Sequence, residues 1–159
     1  MIKRVFTGNY YECKIGNLIS ISRDRGEDAG FEGKCILELA PERDFFKKYK
    51  ENIGKIPQEE NVRYYIGEYY RRVLSQVNIE ELLEGEKDPI LLCYEKGDEF
   101  CHRHVVAEYI EYMYGIKVKD VMIDEDLNVE ENPRPEYIKD ILLEVIEKEK
   151  DNQKMQEGR

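Results

Sequence analysis

Pro89-Ile90-Leu91-Leu92-Cys93-Tyr94 is an unbroken apolar run set between turn-forming neighbours. A strand with one wet face would alternate apolar and polar residues, whereas an all-apolar run suits a strand covered on both faces of a parallel sheet. Upstream, Asn78-Ile79-Glu80-Glu81 reads as the capped start of a short helix that stops at Gly85. Before it, Val62, Tyr65, Ile66, Tyr69, Tyr70, Val73, Leu74 and Val77 recur by threes and fours, which predicts a helix from about Gln58 to Val77. A further helix opens at Pro41 and carries Phe45, Phe46, Tyr49 and Ile53 to a stop at Gly54. Lys3–Phe6, Leu18–Ser22 and Cys35–Leu39 read as strands, with Thr7-Gly8-Asn9 a turn and Arg23–Asp28 a charged loop.

Downstream, the loop Glu95–Phe100 leads to a helix that starts near Cys101. It turns Val105, Val106, Tyr109, Ile110 and Met113 inward before Gly115. Ile116–Ile123 reads as a strand, Asp124–Pro135 as an acidic loop, and Glu136–Lys150 as a last helix followed by a polar, disordered tail at 151–159. Strands and helices alternate, so the expected fold is α/β. It is a single three-layer domain over residues 1–150, with a mostly parallel central sheet and helices on both faces. Ligands of such sheets bind beyond the carboxyl ends of the strands. Thr7–Tyr11, Ser22–Arg25 and Cys93–Arg103 are therefore expected on one rim.

The chain has 159 residues, 41% of them hydrophobic and 38% charged, enough for one domain with a core of its own. Its net charge of −10 repels phosphate backbones and argues against a nucleic-acid partner. A small anionic ligand in a local basic pocket is compatible with that charge. No apolar stretch approaches the roughly 20 residues of a membrane helix, so no membrane association is expected. Met1–Phe6 leads straight into a strand-like run without a leader, and Cys13, Cys35, Cys93 and Cys101 are unevenly spaced. Together these read as a cytoplasmic protein with reduced thiols.

The chemistry is concentrated where the apolar strand ends. Cys93 closes it, Glu95 follows, and Cys101-His102-Arg103 stand at the next helix start. A helix N-terminus is partially positive and Arg103 is a permanent cation, both of which favour a thiolate and an anionic ligand. On this reading Cys93 or Cys101 is a nucleophile, and Glu95 or His102 moves protons. Arg103 and Arg23 clamp the substrate, with Thr7, Asn9 and Ser22 on the same rim binding it too. The spacing differs from the Cys-x5-Arg loop of cysteine phosphatases. No cofactor is needed in this scheme.

Plainer readings stand beside it. Cys93 alone is a small buried hydrophobe, as are Cys13 and Cys35. Glu95 can cap the following helix, Arg103 can pair with Glu95 or Asp98, and His104 reads as solvated. A Zn or Fe site on Cys93, Cys101 and His102, with Glu95 as a further donor, is an alternative. Against it, neighbouring helical residues point about 100° apart, and the spacing is unlike the Cys-x-x-Cys knuckles of structural zinc. The Tyr64–Tyr70 helix offers core tyrosines or, if exposed, a homodimer contact.

Leu91-Leu92-Cys93-Tyr94-Glu95, then Cys101-His102-Arg103 after a five-residue gap, resembles the signature of a bacterial family catalogued as domain of unknown function 488. Ser20-Ile21-Ser22-Arg23 is similar to that family's second-strand segment, and the likeness extends from about Ile2 to Val121. The resemblance implies an α/β fold and a shared site at Cys93, Glu95, Cys101, His102, Arg103 and Arg23. It implies no reaction. The residues favour an enzyme acting on a small anionic substrate, nucleotide-like or phosphorylated. A non-catalytic anion-binding module and the Zn or Fe protein are the alternatives.

Overall fold

A computed structural model describes residues 2–97 and 99–157. Its elements in chain order are strands β1 (Phe6–Asn9), β2 (Asn17–Ser20) and β3 (Lys34–Cys35), then helices α1 (Arg43–Asn52), α2 (Gln58–Arg72) and α3 (Ile79–Leu82). Strand β4 (Pro89–Cys93), helix α4 (His102–Tyr114), strands β5 (Lys119–Ile123) and β6 (Val129–Asn132), and helix α5 (Glu136–Glu157) complete it. The strands form one sheet in the order β3-β2-β4-β1-β5-β6. All pairings are parallel except the last, β5 with β6. The apolar run read first from the sequence is β4. It lies between β2 and β1, and all five of its residues are buried.

The pleat of β4 divides the core. Leu91 points to the face where Val62, Ile66, Tyr69, Val105, Ile110, Ile138 and Leu142 of α2, α4 and α5 gather, joined by Phe45 of α1. Ile90 and Leu92 point the other way, to a smaller cluster with Tyr10, Cys13 and Val121, packed by Phe6, Leu18, Phe31 and Ile123. The domain is α/β and three-layered as expected, with layers of unequal weight. One is built from the α-helices. The other is built from the segments around Tyr10–Cys13 and the 3-10 turn Glu27–Ala29, with Phe31 after it. No helix among the described residues is long and apolar enough to cross a membrane.

Several boundaries differ from the sequence reading. Thr7-Gly8-Asn9 is strand rather than turn, because β1 lies between β4 and β5 and its polar side chains find partners inside the sheet. Gly8 belongs there for lack of a side chain: a Cβ would stand 3.0 Å from the Val121 carbonyl oxygen and 3.2 Å from the Cys13 Cβ. Gly8→Ala is therefore expected to lower unfolding stability by about 1–3 kcal/mol, read by urea denaturation. An unchanged midpoint would contradict the tight β1–β5 approach. Pro41 precedes α1 instead of opening it, and α2 stops at Arg72, where Val73 leaves helical geometry for a 3-10 turn. The cap at Asn78 is as expected, its side chain accepting from the Glu81 N–H.

The acidic stretch after β5 contains a strand that periodicity did not reveal. β6 is mostly exposed, so no apolar face marks it. It is held by a tight turn in which the Asp124 carboxylate accepts from the N–H groups of Asp126 and Asn128. Helix α5 continues past Lys150 through Glu157. Of the expected tail, Gly158 and Arg159 lie outside the described residues. The α2 tyrosines are largely used within the fold. Tyr65 and Tyr69 are buried and Tyr64 and Tyr70 are half-buried against the core, with α1 and α5 packed on the same helix.

Candidate functional site

The segments expected to converge do so. The Tyr10 N–H donates to the Cys93 carbonyl and the Ile21 N–H to the Leu92 carbonyl, which aligns the ends of β1, β2 and β4. Beyond them the chain loops out through Glu95 and re-enters at Cys101, the extended residue just before α4 (φ −149°, ψ 147°). Because Cys101 lies outside the helix, the angular separation of consecutive helical residues does not apply to it. Cys93, Cys101 and His102 are all buried, and their ligand atoms lie within 4.8 Å of one another.

The reduced state expected for all four cysteines holds for two of them. Cys93 and Cys101 are joined sulfur to sulfur, their Cα atoms 7.2 Å apart. Cys13 is buried and free, and Cys35 is half-buried and free. The eight-residue spacing gave no reason to pair them, and only the return of α4 to the end of β4 brings the two together.

His102 takes its orientation from β2. Its Nε2 lies 2.7 Å from the Ile21 carbonyl oxygen, which can only accept, so Nε2 carries the proton and Nδ1 is a bare acceptor. Nδ1 lies 3.9 Å from the Cys101 sulfur. Burial pushes the His102 pKa down to about 4, against the upward pull of the Ile21 carbonyl and with a further push from Arg103. The imidazole is neutral at physiological pH.

Arg103 is fully buried, and its charge is paired with Asp120 rather than with the Glu95 carboxylate; Asp98 lies outside the described residues. Its Nε and Nη2 donate to the two carboxylate oxygens of Asp120, at 2.8 and 3.3 Å. Its Nη1 donates to the Cys93 sulfur at 3.2 Å and to the Glu95 carbonyl at 2.6 Å. Asp120 also accepts from Thr7 Oγ1 at 2.6 Å and from Asn132 Nδ2 at 3.0 Å. Burial works to raise the Asp120 pKa, but the hydrogen bonds and charge of Arg103 hold it below the ordinary carboxylate value. His104, expected in solvent, is instead fully buried, because the first turn of α4 is enclosed on all sides. Burial and the charge of Arg103 push its pKa down to about 3.

The open part of the site is a cavity of about 580 Å³ at the ends of β2 and β4. Ser22, Arg23, Glu95 and His102 line it, together with Asp24, Asp28, Pro41, Arg43, Lys50, Tyr11, Phe46 and Tyr94. Arg23 donates from Nε to the Pro41 carbonyl and from Nη2 to the Ala40 carbonyl, each at 3.2 Å. Lys50 Nζ stands 3.6 Å from Glu95 Oε1. Tyr94 donates its hydroxyl to Asp24, tying the β4 end to the β2 loop. Thr7 and Asn9 are not in this cavity. Thr7 supports Asp120, and the Asn9 side-chain oxygen Oδ1 accepts from the N–H groups of Tyr11 and Glu12 to close its own turn.

Asp120, Arg43 and Lys50 were missing from the sequence reading. Asp120 had a signal: it occupies the inward phase of an otherwise apolar strand, between Val118 and Met122. Arg43 and Lys50 reach the cavity from α1, and nothing local marks them.

The architecture and the site together define a parallel α/β domain with a buried Cys/Cys/His group behind a charged rim cavity. The chain belongs to the DUF488 family: residues 12–114 match the family model described as "Active DUF488-N3 subclade". No curated protein and no solved structure matches the chain. The matched stretch contains Ser22, Arg23 and the whole Cys93–Arg103 segment and ends before Asp120.

Proposed function

We propose that this chain is an enzyme acting on a small anionic substrate, nucleotide-like or phosphorylated, bound in the rim cavity. The observation that carries this reading is the gathering of Arg23, Arg43 and Lys50 in one cavity beside Glu95, Asp24 and Asp28, with Asp24 already engaged by Tyr94 and the N–H groups of Gly26 and Asp28, in a chain whose net charge is −10. The cavity volume of about 580 Å³ falls in the usual range for small-molecule sites. Tyr11, Phe46 and Tyr94 supply an apolar wall for a ring system. The carbonyls of Ala40 and Pro41 fix the plane of the Arg23 guanidinium, and its Nη1 takes no part in either bond.

Glu95 is the group suited to move a proton. An incoming anion competes for Lys50, which frees the Glu95 carboxylate beside the bound substrate. Cys93 and Cys101 lie behind His102 and outside the cavity lining, so this scheme gives them no covalent step. Arg103, with its charge balanced by Asp120, organises the wall rather than gripping the ligand. Such a substrate suits the cytoplasmic location favoured by the sequence.

The test is a panel of nucleoside phosphates and sugar phosphates, followed by calorimetry for binding and mass spectrometry for products. Saturable binding with turnover is expected. Arg23→Ala combined with Arg43→Ala should weaken binding roughly tenfold or more, as loss of charged hydrogen bonds does. Glu95→Gln should keep binding and lower turnover by about 10²-fold or more. Binding without any product would instead favour an anion-binding module, and no binding at all would overturn the reading.

A further inference from the structure

Cys93, Cys101 and His102 bring three soft or borderline donors to one buried point. We infer that, once the two sulfurs are reduced, they form a Cys₂His site for a thiophilic divalent cation, zinc first. Its fourth position, taken by no protein donor, lies on the side of the Glu95 carboxylate, whose Oε2 is 4.0 Å from the Cys93 sulfur. This goes beyond the substrate reading above and does not depend on it.

Four observations support the assignment. In a tetrahedral zinc site with Zn–S near 2.3 Å and Zn–N near 2.0–2.1 Å, neighbouring donor atoms lie about 3.5–3.8 Å apart. The Cys101 sulfur and His102 Nδ1 are 3.9 Å apart, and the ligand atoms of Cys93, Cys101 and His102 all lie within 4.8 Å of one another. The second observation is the tautomer of His102. With Nε2–H donating to the Ile21 carbonyl, Nδ1 presents its lone pair to the sulfurs. Metal-bound histidines are held by this kind of outer bond.

The third is backbone spacing. The Cys93 and Cys101 Cα atoms are 7.2 Å apart, beyond the roughly 4.4–6.8 Å over which disulfides usually close. Two thiolates that share an ion need not touch, so this spacing suits them better. The last is charge. Two thiolates and one Zn²⁺ sum to zero, beside an Arg103–Asp120 pair that is itself neutral. The Arg103 Nη1–H on the Cys93 sulfur at 3.2 Å supports the thiolate without adding net charge. Three protein ligands and one open position are the pattern of zinc sites that do chemistry, whereas purely structural sites are closed by four.

The state with joined sulfurs must first be reduced. A water-soluble phosphine does this with simple balance: phosphorus is oxidised to the phosphine oxide with oxygen from water, and the disulfide takes two electrons and two protons to give two thiols. Zinc binding then displaces the two thiol protons.

The experiment uses the full chain, reduced with phosphine under argon, freed of metal and titrated with Zn²⁺ against a chromophoric chelator. Co²⁺ serves as the spectroscopic probe. One equivalent should bind, with a thiolate-to-cobalt charge-transfer band and tetrahedral ligand-field bands. Cys93→Ser, Cys101→Ser and His102→Ala should each weaken binding by at least 100-fold, whereas Glu95→Gln should keep the stoichiometry. Circular dichroism identifies variants that fail to fold. Reduced, folded wild-type protein that binds no zinc at micromolar concentration would overturn the inference, as would cysteine variants that bind as well as wild type. Loss of zinc in Glu95→Gln would overturn the open fourth position. Metal binding is read without substrate, and anion binding to the oxidised, metal-free protein is read without metal, so either proposal can fail alone.

Discussion

Replacing Arg103 with methionine is expected to cost about 3–5 kcal/mol of folding stability, the usual range when one partner of a buried ion pair is removed. Arg103 is fully buried and Asp120 nearly so, with Arg103 Nε 2.8 Å from Asp120 Oδ1. Without the guanidinium, the Asp120 carboxylate keeps only neutral donors, Thr7 and Asn132, to offset its desolvation. The Cys93 sulfur and the Glu95 carbonyl each lose a donor as well. The double variant Arg103→Met with Asp120→Leu removes both charges and should recover much of the loss, because apolar replacement of a whole buried pair is often neutral. Urea denaturation of the three proteins gives the values directly. A single variant within about 1 kcal/mol of wild type would show that the pair contributes little net stability.

The second large effect is acid lability in the oxidised protein, where the joined sulfurs leave no thiolates to bind metal. His102 has its pKa pushed from an ordinary 6.5 down to about 4 in the folded chain. Its contribution is therefore full above pH 6.5. As pH falls from 6.5 towards 4, the unfolded chain takes up a proton that the folded chain refuses, and the folded state loses ground. At about 1.4 kcal/mol per unit of depression, His102 alone accounts for a loss on the order of 3 kcal/mol across that window. His104, pushed down to about 3 from the same ordinary value, acts with the same sign. Asp120, whose pKa is held below 3.8, adds a loss at lower pH still. Stability measured at pH 7 and pH 4.5 should differ strongly in wild type and less in His102→Gln. A flat profile between those values would mean that the imidazoles are not buried neutral.

Much of the fold was legible because apolar periodicity is a local property. The all-apolar β4 had to be central, and the spacing in α2, α4 and α5 had to bury one face. The parts that escaped are those where tertiary context outweighs local pattern. Thr7-Gly8-Asn9 has turn chemistry, yet it is strand because two neighbours pair with it. β6 carries no apolar face at all. At the site, the sequence grouped Cys93, Glu95, Cys101 and His102, and in the fold these four stand close together. It could not see that the positive charge of Arg103 is answered by a residue 17 positions later, nor that His104 would be enclosed beside it. Which charges cancel depends on strands that meet only in the folded sheet.

The Arg103–Asp120 pair also says where this unit can be divided. The family match covers residues 12–114 and includes the guanidinium. It excludes Thr7, Asp120 and Asn132, which supply the opposite charge and two of its supports. A piece cut to the matched boundaries would bury a cation with no counter-ion and leave β4 without the strands that flank it through β1. The recognisable signature and the self-sufficient module are thus different lengths of chain. Grafting the Cys93–Arg103 segment into another parallel sheet would carry the reactive groups across and leave their electrical neutrality behind.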